Sequence, residues 1–341
     1  MPRHWRSRRS TCPPSGGCST ASSPGRTPGW STSRTPRRSG STGPTCRSTP
    51  GAGTSRSSNR SSSPPNAVSA TEPATAPAHG WAGAAHGPVT AVLHGGGPGC
   101  HTTSDFAAVM ALRPQRRWLW VDLPGYGASA TGQPAPQRSV TAAADGLAAL
   151  LERLGTERVD VLAQSYGGTV ALKLAADRPE RLGRIVLIGS QPTPAPGGAG
   201  PLRTDPGLAV RARTEYYGGD GPSPAKTRAL LAELEWYDAT RIPEPTVLAR
   251  YRASTTAGAL ATAHLPAPAE DLGPALGTVR APTLVLWGRH DPFAGPDYAA
   301  ALADALPRGD LAVIGRTSHH PQAERPATVA ALADAFLTDR S

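Results

Sequence analysis

The sequence predicts an α/β fold with a mostly parallel central sheet flanked by helices. Three observations predict it. From Val89 onward, short apolar runs alternate with longer stretches of helical spacing. The runs are near-continuously hydrophobic, which is the pattern of strands buried on both faces. One interval, between Ser190 and Pro282, carries helical patterns and Pro/Gly loops but no clear strand, and so breaks the rhythm as an insertion would.

Six runs read as strands: VTAVLH (89–94), RWLWVD (117–122), RVDVLAQ (158–164), RIVLIGS (184–190), PTLVLWG (282–288) and DLAVIG (310–315). Between the second and third, Val140, Ala143, Ala144, Leu147, Leu150, Leu151 and Leu154 keep the spacing of an amphipathic helix, and Gly155 closes it. Such alternation builds a layered fold with right-handed crossovers. A further helix is expected from about Tyr166 to Ala176. In the long interval, TRALLAELEWYD (227–238) and PTVLARYRAST (245–255) are the best helices. Insertions at the carboxyl ends of parallel strands sit where these folds bind ligands, so residues 191–278 read as a helical lid. The core is then divided between 85–190 and 279–341. Residues 70–87 have poor strand propensity.

Residues 1–84 stand apart. The 341-residue chain carries a formal net charge of +10. Residues 1–71 hold eleven arginines and no Asp or Glu, and the remainder, with 24 basic and 25 acidic residues, is nearly neutral. The basic excess therefore belongs to the tail, and no nucleic-acid partner is expected for the folded part. An arginine-rich arm that attracts phosphate is the sharper alternative. Before Val68 there is no Val, Ile, Leu or Phe, so the segment has almost nothing to bury against the entropy of ordering. It is expected to be a disordered, low-complexity basic tail. A start-site or frame artefact of a GC-rich gene would give the same composition, with arginine outnumbering lysine 33 to 2. The pair Arg8-Arg9 lacks the apolar region of an export signal, and no run approaches the roughly 18 apolar residues of a membrane span. Cys12, Cys18 and Cys46 lie in the tail and Cys100 outside it; their spacings match neither a zinc site nor a disulfide framework. A reduced, cytoplasmic setting without metal or other cofactor is the expectation.

Ser165, in LAQSYGGT (162–169), falls between a strand and a helix. That is the setting of a nucleophile elbow, in the form Ala163-x-Ser165-x-Gly167, with alanine where the first glycine is usual and some crowding expected. A serine hydroxyl needs a base, and the base an orienting acid. LVLWGRHDPF places Asp291 just beyond one strand, and GRTSHHPQAERP places His319 just beyond the last. The order Ser165, Asp291, His319 is the hydrolase order, and all three follow carboxyl ends of strands, on one rim of the sheet. His320 neighbours the base, His290 precedes the acid, and Asp297 rivals Asp291, although a capping role suits its position at the next helix start. HGGGPG (94–99) follows the first strand, and its glycines let backbone N–H groups approach a developing oxyanion.

Over residues 85–338 the chain resembles the α/β-hydrolase superfamily. That superfamily normally opens with a β-hairpin before the strand holding HGGGPG, so the resemblance implies that strands within 70–87 are either degenerate or lost, and their loss would expose a sheet edge. HGGGPG, DLPGYGAS (122–129), the elbow, WGRHDPF and HHPQAERP together resemble the meta-cleavage-product hydrolases, and so does the stretch 221–254 with its Tyr237-Asp238 pair and Arg250-Tyr251. The resemblance implies an α/β-hydrolase fold with a helical lid, and hydrolysis of a carbon–carbon bond in vinylogous diketones of aromatic or steroid catabolism. It implies oxyanion donors at Gly96 and Tyr166 and a substrate carboxylate held by Arg250. The motif H-x-P-x-x-E-x-P favours His319 over His320 as base. Family members usually carry Asn at Asp105, Asn at Gln164 and Trp at His320, and all three positions touch substrate in the family. A carboxylate at Asp105 would repel an anionic dienoate unless protonated or turned away. The partner implied is a small molecule, in a family that often dimerises or tetramerises. An esterase or proline-iminopeptidase-like hydrolase is the alternative, since HGGGPG resembles theirs too. A non-catalytic ligand-binding protein of the same fold is the second.

Overall fold

The apolar runs assemble into one sheet in the computed structural model, which describes residues 76–130, 139–265 and 269–339. Its strands are β1 (His79–Gly83), β2 (Val89–Leu93), β3 (Arg117–Val121), β4 (Val159–Gln164), β5 (Leu182–Ile188), β6 (Thr283–Gly288) and β7 (Gly309–Ile314), in the order β1-β3-β2-β4-β5-β6-β7. Every neighbouring pair is parallel except β1 with β3. The expectations for the first 75 residues, including the three tail cysteines, lie outside the described residues.

Helices α1 (Thr102–Ala111), α2 (Val140–Arg153) and α3 (Tyr166–Asp177) follow β2, β3 and β4. Between β5 and β6 come α4 (Leu208–Tyr217), α5 (Pro224–Leu230), α6 (Glu244–Ser254), α7 (Ala257–Ala261) and α8 (Gly273–Leu276); the interval without a strand is helical as expected. After β6 and β7 follow α9 (Pro296–Ala305), α10 (Pro321–Glu324) and α11 (Pro326–Thr338). None of the described helices is long and apolar enough to cross a membrane.

Burial explains why the strands read as continuous apolar runs. All five residues of β2 and all six of β6 are buried. Alternate residues serve two cores. On one face Ala91, Leu93, Val161 and Leu187 pack with Leu147 and Leu150 of α2, Leu174 of α3 and Leu302 of α9. On the other, Val92, Leu162, Val186 and Leu284 pack with Phe106 of α1 and Val329 and Ala333 of α11. Gly155 ends the α2 region with φ 62°, a conformation glycine adopts without steric cost.

Of the two alternatives for the segment before His94, degenerate strands or lost ones, β1 favours the first, and it corrects the tail boundary by placing an ordered strand inside 1–84. HGWAG lacks strand propensity because its stabilisation comes from the neighbouring strand. The Trp120 indole of β3 lies across Gly80, where a β-carbon would sit 2.5 Å from the ring. The Arg117 guanidinium lies 4.3 Å from the Trp81 ring centroid. Cross-strand pairs of this kind override intrinsic preference. The edge of β3 is covered by β1.

Candidate active site

Ser165 sits on the turn joining β4 to α3. Its backbone has φ 49° and ψ −116°; among described non-glycine residues only Arg316 shares a positive φ. Strain of this kind costs on the order of 1–3 kcal/mol and persists only where the surroundings over-determine it. Here the Ser165 N–H donates to Ile188 O at 2.7 Å and the Gly167 N–H to His94 O at 3.1 Å, lashing the turn to the ends of β5 and β2. That approach requires glycine at 167, where a β-carbon would lie 2.6 Å from His94 O. Ala163, in place of the usual glycine, is fully buried in the core under the turn.

Asp291 follows β6 and is fully buried, and its Oδ1 accepts the Phe293 N–H at 2.9 Å. Its Oδ2 lies 2.6 Å from His319 Nδ1. The His319 loop is held from both sides. The His290 N–H donates to Thr317 O at 3.0 Å, and the Ser318 N–H donates to Glu324 Oε1 at 2.6 Å. Glu324 Oε2 accepts the Tyr237 N–H at 2.8 Å, so the acid of the H-x-P-x-x-E-x-P run straps this loop to the helical segment between β5 and β6. Burial pushes the Glu324 carboxyl up, and these backbone donors pull it back. Ser165, His319, Gly96 and Tyr166 line one cavity of about 240 Å³. Asp297 instead accepts the Arg203 N–H at 2.8 Å at the start of α9, and exposed His290 stacks 4.5 Å from Tyr237. Neither lines the cavity.

The glycine loop after β2 owes its shape to His94 and Tyr126. His94 is fully buried; its Nδ1 lies 2.7 Å from Gly95 O and its Nε2 accepts the Leu123 N–H at 2.9 Å, which fixes the tautomer. The Tyr126 hydroxyl donates to Gly96 O at 2.9 Å. Gly96 packs directly on Tyr166: a β-carbon at 96 would lie 3.2 Å from the Tyr166 Cβ. Ala209, Ala212 and Arg213 of α4, with Leu230 and Leu234, form the opposite wall of the cavity.

Of the four substrate-contact candidates, two line the cavity and two do not. Gln164 lines it, donating from Nε2 to His319 O at 3.2 Å, while its buried Oε1 has no hydrogen bond. His320 lines it as well. Arg250 is 1% exposed and committed elsewhere: Nη1 and Nη2 donate to Glu235 at 2.9 and 2.7 Å, and Nε donates to Pro98 O at 3.2 Å. The fork expected to hold a substrate carboxylate holds the protein's own here. Asp105 is buried behind Arg250, 3.5 Å from Nη1, and its Oδ2 has no partner. Of these two carboxylates, Glu235 lines the cavity and Asp105 does not.

Glu235 was missed in the sequence, although a signal was present. Thr227, Leu230, Leu231, Leu234 and Glu235 share one face at helical spacing, which puts a carboxylate on an apolar stripe. Locally the helix widens into a π turn over Leu231–Glu235, closed by the Trp236 N–H on Leu231 O at 2.9 Å. Glu235 Oε2 also lies 3.2 Å from His320 Nδ1. Cys100, Glu235 and His320 bring potential ligand atoms within 4.8 Å of one another. Both Glu235 oxygens already accept from Arg250, whose cation opposes a metal ion there, and we assign none.

Burial, the largest cause, holds His320 well below the usual imidazole range, with Asp105 pulling the other way. Folded His320 thus binds fewer protons than the unfolded chain below about pH 6.5. The stability this contributes is present above that pH and is lost as pH falls through it. The melting temperature should drop between about pH 6.5 and 5, and His320→Gln should flatten the slope. His101, also lowered chiefly by burial, supplies the remainder. An unchanged slope in the variant would mean that His320 is already protonated in the fold.

Comparison with known proteins agrees with this architecture. The family described as alpha/beta hydrolase fold matches residues 91–326. The 2-hydroxy-6-oxo-6-phenylhexa-2,4-dienoate hydrolase of Comamonas testosteroni is 30% identical, over 75% of this chain and 90% of that protein. The 2-hydroxymuconate semialdehyde hydrolase of Pseudomonas sp. strain CF600 is 31% identical, over 73% and 86%. Among solved structures, the meta-cleavage product hydrolase of Pseudomonas fluorescens IP01 superposes with a TM-score of 0.65 at 22% identity, covering 77% of this chain and 94% of that one. An esterase of Thermogutta terrifontis gives 0.60 at 25% identity, covering 76% and 92%.

Proposed function

The chain belongs to the α/β-hydrolase fold family, and from that premise we propose that it is a serine hydrolase cleaving a carbon–carbon bond in a vinylogous diketone. The observation that carries this reading is the buried pair of His319 and Asp291, 2.6 Å apart, on the cavity that Ser165 also lines. Asp291 holds the Nδ1–H tautomer, which leaves Nε2 to take the Ser165 proton. Ser165 Oγ then attacks the ketone, and the backbone N–H groups of Gly96 and Tyr166 stabilise the oxyanion. The carbon–carbon bond breaks with its electron pair leaving as a conjugated dienolate, and water releases the acyl group from Ser165. Two relatives, 30% and 31% identical, are named as hydrolases of 2-hydroxy-6-oxo-6-phenylhexa-2,4-dienoate and of 2-hydroxymuconate semialdehyde, which supports this reading. The segment 191–278, whose helices wall the cavity, acts as the lid.

A second reading is favoured by one observation. Glu235 occupies the Arg250 fork, which suits a neutral ester better than an anionic dienoate. Two measurements decide. A fluorophosphonate probe should label Ser165 and fail to label Ser165→Ala; an unlabelled wild-type chain would leave a ligand-binding protein as the reading. Turnover of a coloured 2-hydroxy-6-oxo-dienoate, set against p-nitrophenyl esters of matched size, should favour the dienoate. Ester turnover alone would establish the second reading.

A further inference from the structure

At the end of the sheet away from Ser165, the amino ends of the strands border a groove of about 940 Å³. The length of β4 puts roughly 20 Å between this groove and the serine turn. Five arginines line it, Arg116, Arg117, Arg158, Arg184 and Arg308, against three carboxylates, Asp160, Asp334 and Asp339. Asp334 accepts the Arg116 Nε–H at 2.6 Å, and Asp339 lies 3.6 Å from Arg184. Asp160 folds against the backbone: its Oδ1 accepts the Arg184 N–H at 2.8 Å, and a β-carbon at Gly183 would lie 2.2 Å from that oxygen. Burial pushes the Asp160 carboxyl up, and that N–H, Arg116 and Arg158 pull it back.

Arg117, Arg158 and Arg308 have no carboxylate within ion-pair distance among the described residues. Each keeps N–H groups to spare. The Arg117 guanidinium is seated over Trp81, Arg158 donates from Nε to Leu182 O at 3.1 Å, and the Arg308 side chain makes no hydrogen bond among the described residues. Nor do the three serve helix ends. Arg113 donates to Leu112 O after α1, and Arg181 to the Thr156 and Glu157 carbonyls after α2.

We propose that this groove is a second binding site, separate from the cavity of Ser165, and that it takes a small oligophosphate. The planar fork of a guanidinium meets phosphate oxygens two at a time. In the sheet, β3 and β4 are separated by β2 alone, so Arg117 and Arg158 start from backbones roughly 10 Å apart. Arg308 enters from beyond, just before β7. A single anion cannot touch all three, whereas a chain of two or three phosphates can. The folded part also sets an upper size. Residues 72–341 hold 24 basic and 25 acidic residues, and Asp334 and Asp339 stand in the groove wall, so no basic track leads away for a long polyanion to follow.

The test is calorimetric titration of tripolyphosphate into the full chain at low salt, where exposed charges are least screened. The wild type should bind it saturably. Arg158→Gln and Arg308→Gln should each weaken binding by about tenfold, the worth of one charge-assisted hydrogen bond, and the double variant by about 100-fold. Arg308→Gln removes no hydrogen bond among the described residues, so it should keep the wild-type melting temperature and decides the matter if Arg158→Gln folds poorly. ATP separates two sources of the same chemistry. Tighter binding than tripolyphosphate names a nucleotide, and equal binding names a free oligophosphate. Binding that neither variant weakens comes from the arginines of residues 1–71 and overturns the proposal. A wild type that takes up no tripolyphosphate, or that binds an oligothymidylate of equal charge more tightly, overturns it as well.

Discussion

Replacing Ser165 with alanine is expected to lower kcat on any substrate by about 10⁴–10⁶-fold, the range found when a triad nucleophile is removed. The residual rate would come from the glycine loop and binding alone. The same position yields a second, opposite result. Serine holds φ 49° there, and alanine has the same steric problem, so Ser165→Ala should melt close to the wild-type temperature. Glycine has no β-carbon and occupies the left-handed region freely. Ser165→Gly should therefore be equally inactive yet more stable by about 1 kcal/mol, after the entropy that glycine adds to the unfolded chain. Calorimetry on the two variants checks this. A glycine variant less stable than the alanine variant would show that the turn is not under strain.

The largest effect on stability is expected at Glu235. Its carboxylate is the main counter-ion of Arg250, and both side chains are almost wholly enclosed. Removing one partner of a buried pair leaves an uncompensated charge and costs about 3–5 kcal/mol. For a domain of this size that is a fall in Tm on the order of 10 °C. Glu235→Leu should show it. Adding Arg250→Met should recover most of the loss, since apolar replacement of a whole buried pair is often neutral. Asp105, 3.5 Å from the guanidinium, is the only other carboxylate in direct reach among the described residues. A loss below about 1 kcal/mol in the single variant would mean that Asp105 suffices.

How much of this was legible in the sequence depends on the range of the interaction concerned. The parallel strands were readable because each is buried on both faces, so β2 and β6 are apolar throughout. Ser165, Asp291 and His319 were readable because the turn and the two loops that carry them have local signatures, and strand order alone brings their ends together. β1 was not readable: Gly80 and Trp81 gain their strand character from Trp120 and Arg117, nearly forty residues on. Nor was the partner of Arg250. An arginine on a helix beside a cavity reads the same whether it faces ligand or protein. The apolar stripe marks Glu235 as inward-facing, but the π turn that sets it against Arg250 has no sequence signature.

That π turn has an evolutionary consequence. A five-residue turn differs from an ordinary one by a single inserted residue. The wider turn takes up its extra residue locally and leaves the helix on either side in phase, so one codon lost between Leu231 and Glu235 would restore α geometry with little rotation of the carboxylate about the axis. The Arg250 fork would keep its counter-ion through such a deletion. A one-residue indel is therefore better absorbed at this turn than elsewhere in the segment, while the rim bearing Ser165, His319 and Asp291 stays as it is.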